Sequence, residues 1–210
     1  MQRARSETAK LEREDSILTA TEILLRQSGY DSMTMQTVAT TAGLAKGTLY
    51  LYFTSREALV LAVYDRLFDR WIDRFAAHQP EFTSCDGFCR DFARHYADDP
   101  LFMQLTGFAN ALLEPQLDRE AYINSKRGMA RRVKKLAGLV CQQFSIAPAA
   151  AQKLIWGFLT IAVGAAKITV SPPVTKADLP DDVVTFTGLA NFETVFLNAA
   201  APLGASLTSR

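Results

Sequence analysis

The chain has no proline before Pro80, and between residues 8 and 79 its only glycines are Gly29, Gly43 and Gly47. Proline and glycine are the residues that stop helices and turn chains, so this spacing predicts helices divided by tight turns. From Lys10 to Ser28, apolar Leu11, Leu18, Leu24 and Leu25 recur at helical spacing, and Gly29 stands where a left-handed C-cap belongs. Thr34 can cap a short second helix ending at Ala42, Gly43 turns the chain, and a third short helix follows from Ala45 to Phe53. Thr54-Ser55-Arg56-Glu57 has the form of a capping box, in which hydroxyl and carboxylate each satisfy a free backbone N–H, and starts a fourth helix. That helix continues to about His78. Val60, Val63, Tyr64, Leu67, Trp71 and Phe75 lie on one stripe, with Asp65, Arg66, Asp69, Arg70, Asp73 and Arg74 largely off it.

After Pro80 the composition turns toward phenylalanine, while Pro100, Pro115 and Pro148 separate segments that still read as helices. Helices are expected near 84–98, 100–113, 116–145, 148–170 and 182–200, with a long loop over 171–181 and no strand alternation. The fold class is therefore all-α. An N-terminal three-helix helix-turn-helix domain over 1–56 is joined through helix 4 to a C-terminal helical domain over 57–210. With 210 residues and 49% hydrophobic content, the chain has enough apolar surface for a core. The longest uncharged apolar stretch, Leu154–Ala166, is 13 residues, short of the ~20 that span a bilayer. No apolar leader opens the chain, and three cysteines cannot pair completely, so a reducing cytoplasm and no membrane partner are expected.

Thr34 to Leu59 reads TMQTVATTAGLAKGTLYLYFTSREAL. It carries a Thr-capped short helix containing Val38-Ala39, Ala42-Gly43-Leu44 at a turn, and Lys46-Gly47-Thr48-Leu49-Tyr50 as a recognition segment. Tyr52-Phe53 and Ser55-Arg56-Glu57-Ala58-Leu59 follow. In this frame the segment resembles the DNA-binding signature of the TetR family of transcriptional regulators, closely over residues 10 to 65. The resemblance implies that Gln36 and Lys46 touch bases while Thr34, Thr48, Tyr50 and Arg56 grip the DNA backbone. Polar groups at the start of a recognition helix suit that task, and Gly47 lets the protein backbone come close to DNA. Two positions depart from the family pattern. Ala45 replaces a common capping Ser, at a cost of ~1 kcal/mol of cap energy, and Leu51 replaces an aromatic residue or His.

Charge gives little support to nucleic-acid binding: the whole chain carries +1, and residues 1–60 hold seven basic and seven acidic side chains. Any DNA contact must come from local patterning, since an ordinary helical hairpin would have the same balance. Arg3, Arg5 and Lys10 read either as a disordered arm reaching DNA or as a solvated tail. Residues 126–135 hold six basic and no acidic side chains; the solvated face of a long helix is preferred over a second nucleic-acid patch. Cys85 and Cys89 lie one helical turn apart with His95 beyond, too few ligands for a closed zinc site, so no metal or cofactor is expected. His78 and His95, without a glycine-framed nucleophile, leave no recognisable catalytic machinery.

The family resemblance further implies a ligand cavity behind helix 4. The expected lining is Phe88, Phe92, Tyr96, Met103, Phe108 and Trp156, which would favour a small apolar or aromatic effector; the competing reading is that these rings simply fill a core. The last two helices resemble the family's dimerisation pair. Gly164, Ala165, Leu189, Phe192 and Phe196 are placed at the homodimer contact, small residues for close approach and large ones for an apolar face. The expected function is a repressor that binds a palindromic operator in double-stranded DNA as a homodimer and is released by the effector. A helical enzyme or lipid carrier with a vestigial helix-turn-helix, and an architectural DNA protein, are the rival readings.

Overall fold

The computed structural model describes residues 2–77, 84–169, 180–183 and 191–208, and every regular element among them is helical. The order is α1 (Gln2–Ser32), α2 (Met35–Thr41), α3 (Lys46–Tyr50), α4 (Arg56–Ala77), α5 (Cys85–Ala97) and α6 (Pro100–Phe108). It continues with α7 (Arg119–Phe144), α8 (Pro148–Thr169) and α9 (Phe192–Thr208). Between α6 and α7 the chain passes through a π turn, Ala109–Leu113, and a 3-10 turn, Glu114–Gln116.

Local chemistry accounts for most ends. Gly29 breaks the α1 geometry at φ +73° and ψ 177°, and Gly43 turns the chain between α2 and α3 at φ +67°; both conformations are open to glycine and costly for other residues. Thr34 caps α2 reciprocally with Thr37: each backbone N–H donates to the other's hydroxyl, at 3.1 and 3.0 Å. The anticipated Thr54–Glu57 box does not form. Ser55 caps α4 instead by accepting the Ala58 N–H at 3.0 Å, and the Glu57 carboxylate turns back toward α1. The expected arm also differs, because α1 extends in helical form to Gln2.

Other boundaries shift. The third helix is shorter than the expected 45–53: Ala45 lacks a side-chain cap, and the helix stops at Tyr50. The helix expected over 100–113 keeps α geometry only to Phe108, whose φ of −130° opens the π turn. Asp118 caps α7 through the Ala121 N–H at 2.9 Å, and Ser145 ends it in the left-handed region at φ 54°. Residues 181–183 are helical where the last helix is expected to start, and the next helix described, α9, runs from Phe192 with Pro202 inside it. Most of the 171–181 loop and residues 184–190 lie outside the described residues.

Helix α4 is the axis of the molecule. Ten of its side chains are buried, from Leu59 at its start to Trp71 and Phe75, packed against α5. Burying a large side chain stabilises by about 1.5–3 kcal/mol, so this stripe ties the two ends into one core. Helix α8, at 22 residues, is long and apolar enough by composition to cross a membrane. Here it packs against α6, α7 and α9, and Gly107 of α6 crosses it closely enough that an added Cβ would lie 3.4 Å from the Lys167 backbone.

Candidate functional site

At the N-terminal end, α2 and α3 pack against each other across the Gly43 turn, with Val38, Ala39 and Leu49 buried. That packing leaves an outer polar face. Gln36, Lys46 and Gly47 are exposed, Thr48 is half-buried, and Tyr50 is 45% exposed. Lys46 makes no ion pair among the described residues, so its charge is available to an outside partner. Leu51 is 81% exposed beside it. Thr34 is exposed, but its hydroxyl is already engaged in the cap.

Arg56 is placed differently from the other predicted contacts. Its guanidinium lies 4.2 Å over the Tyr30 ring and donates to the Tyr30 hydroxyl at 2.9 Å, the Met33 carbonyl at 3.4 Å and the Glu57 carboxylate at 3.2 Å. Tyr30 in turn donates to Glu57 at 3.0 Å. Burial acts to raise the Glu57 pKa, but its backbone hydrogen bond and those from Tyr30 and Arg56 prevail and hold it low. This knot locks the end of α1 to the start of α4, directly behind the α2–α3 unit.

Sequence reasoning missed two further clamps. Glu22 of α1 accepts from Arg66 at 2.9 Å, Arg70 at 2.7 Å and Arg26 at 2.9 Å. Burial works to raise its pKa; hydrogen bonds from Arg70 and Arg26, with Arg66, outweigh it and lower the value. Arg26 also binds both oxygens of Asp99, at 2.9 and 2.8 Å, and Asp99 caps α6 by accepting the Leu101 and Phe102 N–H groups. The second clamp departs from the solvated-face reading of residues 126–135 at Arg132 alone, since Arg127, Arg131, Lys134 and Lys135 are exposed. Arg132 is 7% exposed and grips Asp69 at 2.8 Å through two nitrogens and Asp65 at 2.7 Å, while Lys126 pairs with Glu114 and Lys135 with Asp73. The legible signal was charge complementarity: Asp65, Asp69 and Asp73 recur every four residues on α4, and the run on α7 supplies their cations.

In the C-terminal part, Phe88, Phe92 and Tyr96 are buried and packed ring against ring. Trp71 stacks on Phe75 at 5.4 Å and meets Phe92 edge-on at 4.9 Å; Phe92 stacks on Phe196 at 5.1 Å and Tyr96 on Phe192 at 5.3 Å. The core is not wholly apolar. The Tyr96 and Thr106 hydroxyls lie 3.0 Å apart, and the buried Trp71 indole N–H has no hydrogen-bond partner among the described residues. Burial pushes the Tyr96 phenol well up. Met103 lines a cleft of about 430 Å³ with Ala97, Thr169, Asn191, Phe192 and Glu193. Phe108 is half-buried against Tyr30, at 5.6 Å. Trp156 lies apart from this set, 57% exposed between two surface grooves.

The predicted dimer residues divide. Ala165, Phe192 and Phe196 are buried within the chain's own core, where the two phenylalanines complete the aromatic stack; Gly164 is exposed, and Leu189 lies outside the described residues. The outward face belongs to α8, where Trp156, Thr160, Gly164 and Ile168 form an exposed stripe at four-residue spacing.

Two family models match. Residues 17–63 match the family of bacterial regulatory proteins, tetR family, and residues 65–201 match the tetracyclin repressor-like C-terminal domain. The repressor KstR of Rhodococcus jostii is 42% identical over 65 residues, 31% of this chain and 31% of that protein. The chain thus covers under a third of that relative's length. The TetR family repressor AlkX from a Dietzia species, implicated in biodegradation of n-alkanes, superimposes with a TM-score of 0.62 over 93% of this chain and 95% of its own, at 15% identity. The regulator FadR of Bacillus subtilis, solved with stearoyl-CoA, gives 0.54 over 92% and 97%, also at 15% identity.

Proposed function

The chain belongs to the TetR family of bacterial regulatory proteins, and from that premise we propose that this transcriptional regulator is a repressor that binds a palindromic operator as a homodimer and is released by a small apolar or aromatic ligand. The observation that carries the reading is the exposed α2–α3 face with an unpaired Lys46 at the head of α3, held by a helix whose far end lies in the aromatic core. Gln36 and Lys46 face base edges, and Thr48 and Tyr50 face phosphates. Gly47 gives close approach, while Thr34 and Arg56 act mainly by fixing α2 and α4. The division at 56/57 separates DNA contact from sensing.

The dimer contact is assigned to the α8 stripe around Gly164, because Phe192 and Phe196 are occupied internally. An effector entering beside Met103 would separate the rings of Phe92, Tyr96 and Phe192 and meet the Trp71 N–H and the Tyr96–Thr106 hydroxyls, so an apolar body with one acceptor atom suits the site. Any such separation moves α4 and, through Arg26–Asp99, α1. Two recognition helices must meet grooves roughly 34–36 Å apart, so a small rotation spoils the fit.

Selection of bound DNA from a random duplex library tests the first half; an inverted repeat should be enriched, and its absence would overturn operator binding. Tryptophan emission titrated with n-alkanes, stearoyl-CoA and aromatic acids tests the second. A true effector should bind about 5- to 150-fold more weakly when operator is saturating, by thermodynamic reciprocity. Equal affinity with and without operator would eliminate that compound as the releasing ligand.

A further inference from the structure

Cys85 begins α5, half-buried, and Cys89 follows one turn later, fully buried. The neighbouring Cys85 side chain, together with burial, pushes the Cys89 thiol up and favours its protonated form. Gly204 of α9 covers the pair: an added Cβ there would overlap Cys85 Sγ and lie 3.4 Å from Cys89 Sγ and 3.7 Å from Phe158. The third thiol, Cys141, is on α7.

From this juxtaposition we infer that Cys85 and Cys89 form a two-sulfur site for a thiophilic electrophile, specifically a trivalent organoarsenical. Geometry selects a bridged adduct over a disulfide. Residues four apart on a helix have Cβ atoms about 5–6 Å apart, whereas a disulfide needs about 3.8 Å. A direct S–S bond would therefore require the first turn of α5 to unwind, while one soft atom between the sulfurs spans the gap. The chemistry is a ligand exchange. Each of the two As–O bonds of a dihydroxyarsine is replaced by an As–S bond, each thiol proton leaves with a hydroxide as water, and no electron is transferred. Cys85, the more accessible sulfur, bonds first, and the buried Cys89 closes the ring.

Closing the ring has a mechanical result. Gly204 leaves no room above Cys85, so the adduct displaces the Leu203–Gly204 turn of α9, which rests on Gly157 of α8. Next to Cys89, Phe88 meets Phe75 edge-on at 5.3 Å, and Phe75 stacks on Trp71. Binding should therefore change Trp71 emission.

Phenylarsine oxide, titrated into the reduced full-length protein and read by intact mass and thiol titration, tests the site. One adduct per chain with two thiols consumed, mapped to a peptide containing both Cys85 and Cys89, is the expected result. Losing the second sulfur removes an effective concentration worth about 10²–10⁴, so Cys85→Ser and Cys89→Ser should each bind ~100-fold or more weakly, while Cys141→Ser binds as wild type. If Cys89→Ser fails to fold, Cys85→Ser and Cys141→Ser decide. Undiminished binding by Cys85→Ser, loss of only one thiol, or mapping to Cys141 would overturn the assignment. So would a Cys85–Cys89 disulfide formed under a hydroperoxide with helical content unchanged.

Discussion

Replacing Arg132 with Met keeps the stem that packs beside Phe68 but removes the guanidinium that lies 5.6 Å from that ring and grips Asp65 and Asp69. Removing one partner of a buried pair costs about 3–5 kcal/mol. Here the carboxylates can recover some hydration, since Asp65 is 29% and Asp69 57% exposed in their side chains. A loss of about 2–3 kcal/mol is therefore expected, or roughly 5–10 °C in Tm for a chain of this size. The loss should also depend on pH. Burial pushes Asp65 up to about 6, against the pull of Arg132. Because this carboxyl is raised in the folded state, folding takes up a proton between its ordinary pKa and the folded one, and stability from this group falls as pH rises through about 6. Without Arg132 the folded pKa rises further, so the Met variant's deficit should be larger at pH 7.5 than at pH 5. Urea unfolding followed by circular dichroism at fixed protein concentration measures both, and Asp65→Asn placed on Arg132→Met should restore part of the loss. A deficit below about 0.5 kcal/mol, typical of an exposed pair, or one independent of pH, would refute the clamp as described.

Lys46→Ala should weaken binding to selected DNA without changing helical content, and Tyr50→Phe should do so more mildly; a lost phosphate contact lowers the salt slope by ~1 in fluorescence anisotropy. Trp156→Asp should give monomers by analytical ultracentrifugation with the fold intact, because a carboxylate would be desolvated across the α8 stripe; a persistent dimer would place the contact elsewhere. Ser145→Gly should raise stability by about 0.5–1 kcal/mol, since φ 54° strains any residue with a Cβ. Glu22→Gln should lower thermal stability at pH 7, with the gap to wild type closing as pH falls through the depressed pKa of Glu22 in the folded state.

The helix-turn-helix was readable because its constraints are local. The Gly43 turn, the Thr34 cap and the apolar spacing of Leu44, Leu49 and Phe53 act over a few residues, and the family signature sits on the same positions. The C-terminal residues were harder because helical periodicity shows that a face is apolar without showing what covers it. Phe192 and Phe196 could face a second copy or Tyr96 and Phe92; only the three-dimensional path chooses the latter. Trp156 stands apart from the buried rings, 57% exposed beside two surface grooves, a placement that helical periodicity does not give. The α4 cap moved one residue, from Thr54 to Ser55, because Glu57 was claimed by Tyr30 across a separation that no local rule inspects. Arg132 escaped for the same reason: its partners are 63 and 67 residues away.

The knot of Tyr30, Arg56 and Glu57, with Glu22 held by Arg66 and Arg70, also bears on how the chain can be recombined. A graft made at the 56/57 division would place Glu57, Arg66 and Arg70 on one parent and Glu22, Tyr30 and Arg56 on the other. A chimera carrying a foreign reading head would inherit unpaired charges on both sides of the seam. Transplanting specificity therefore calls for exchanging only the surface of α2 and α3, Gln36 and Lys46 to Leu51, and leaving α1 with its native α4.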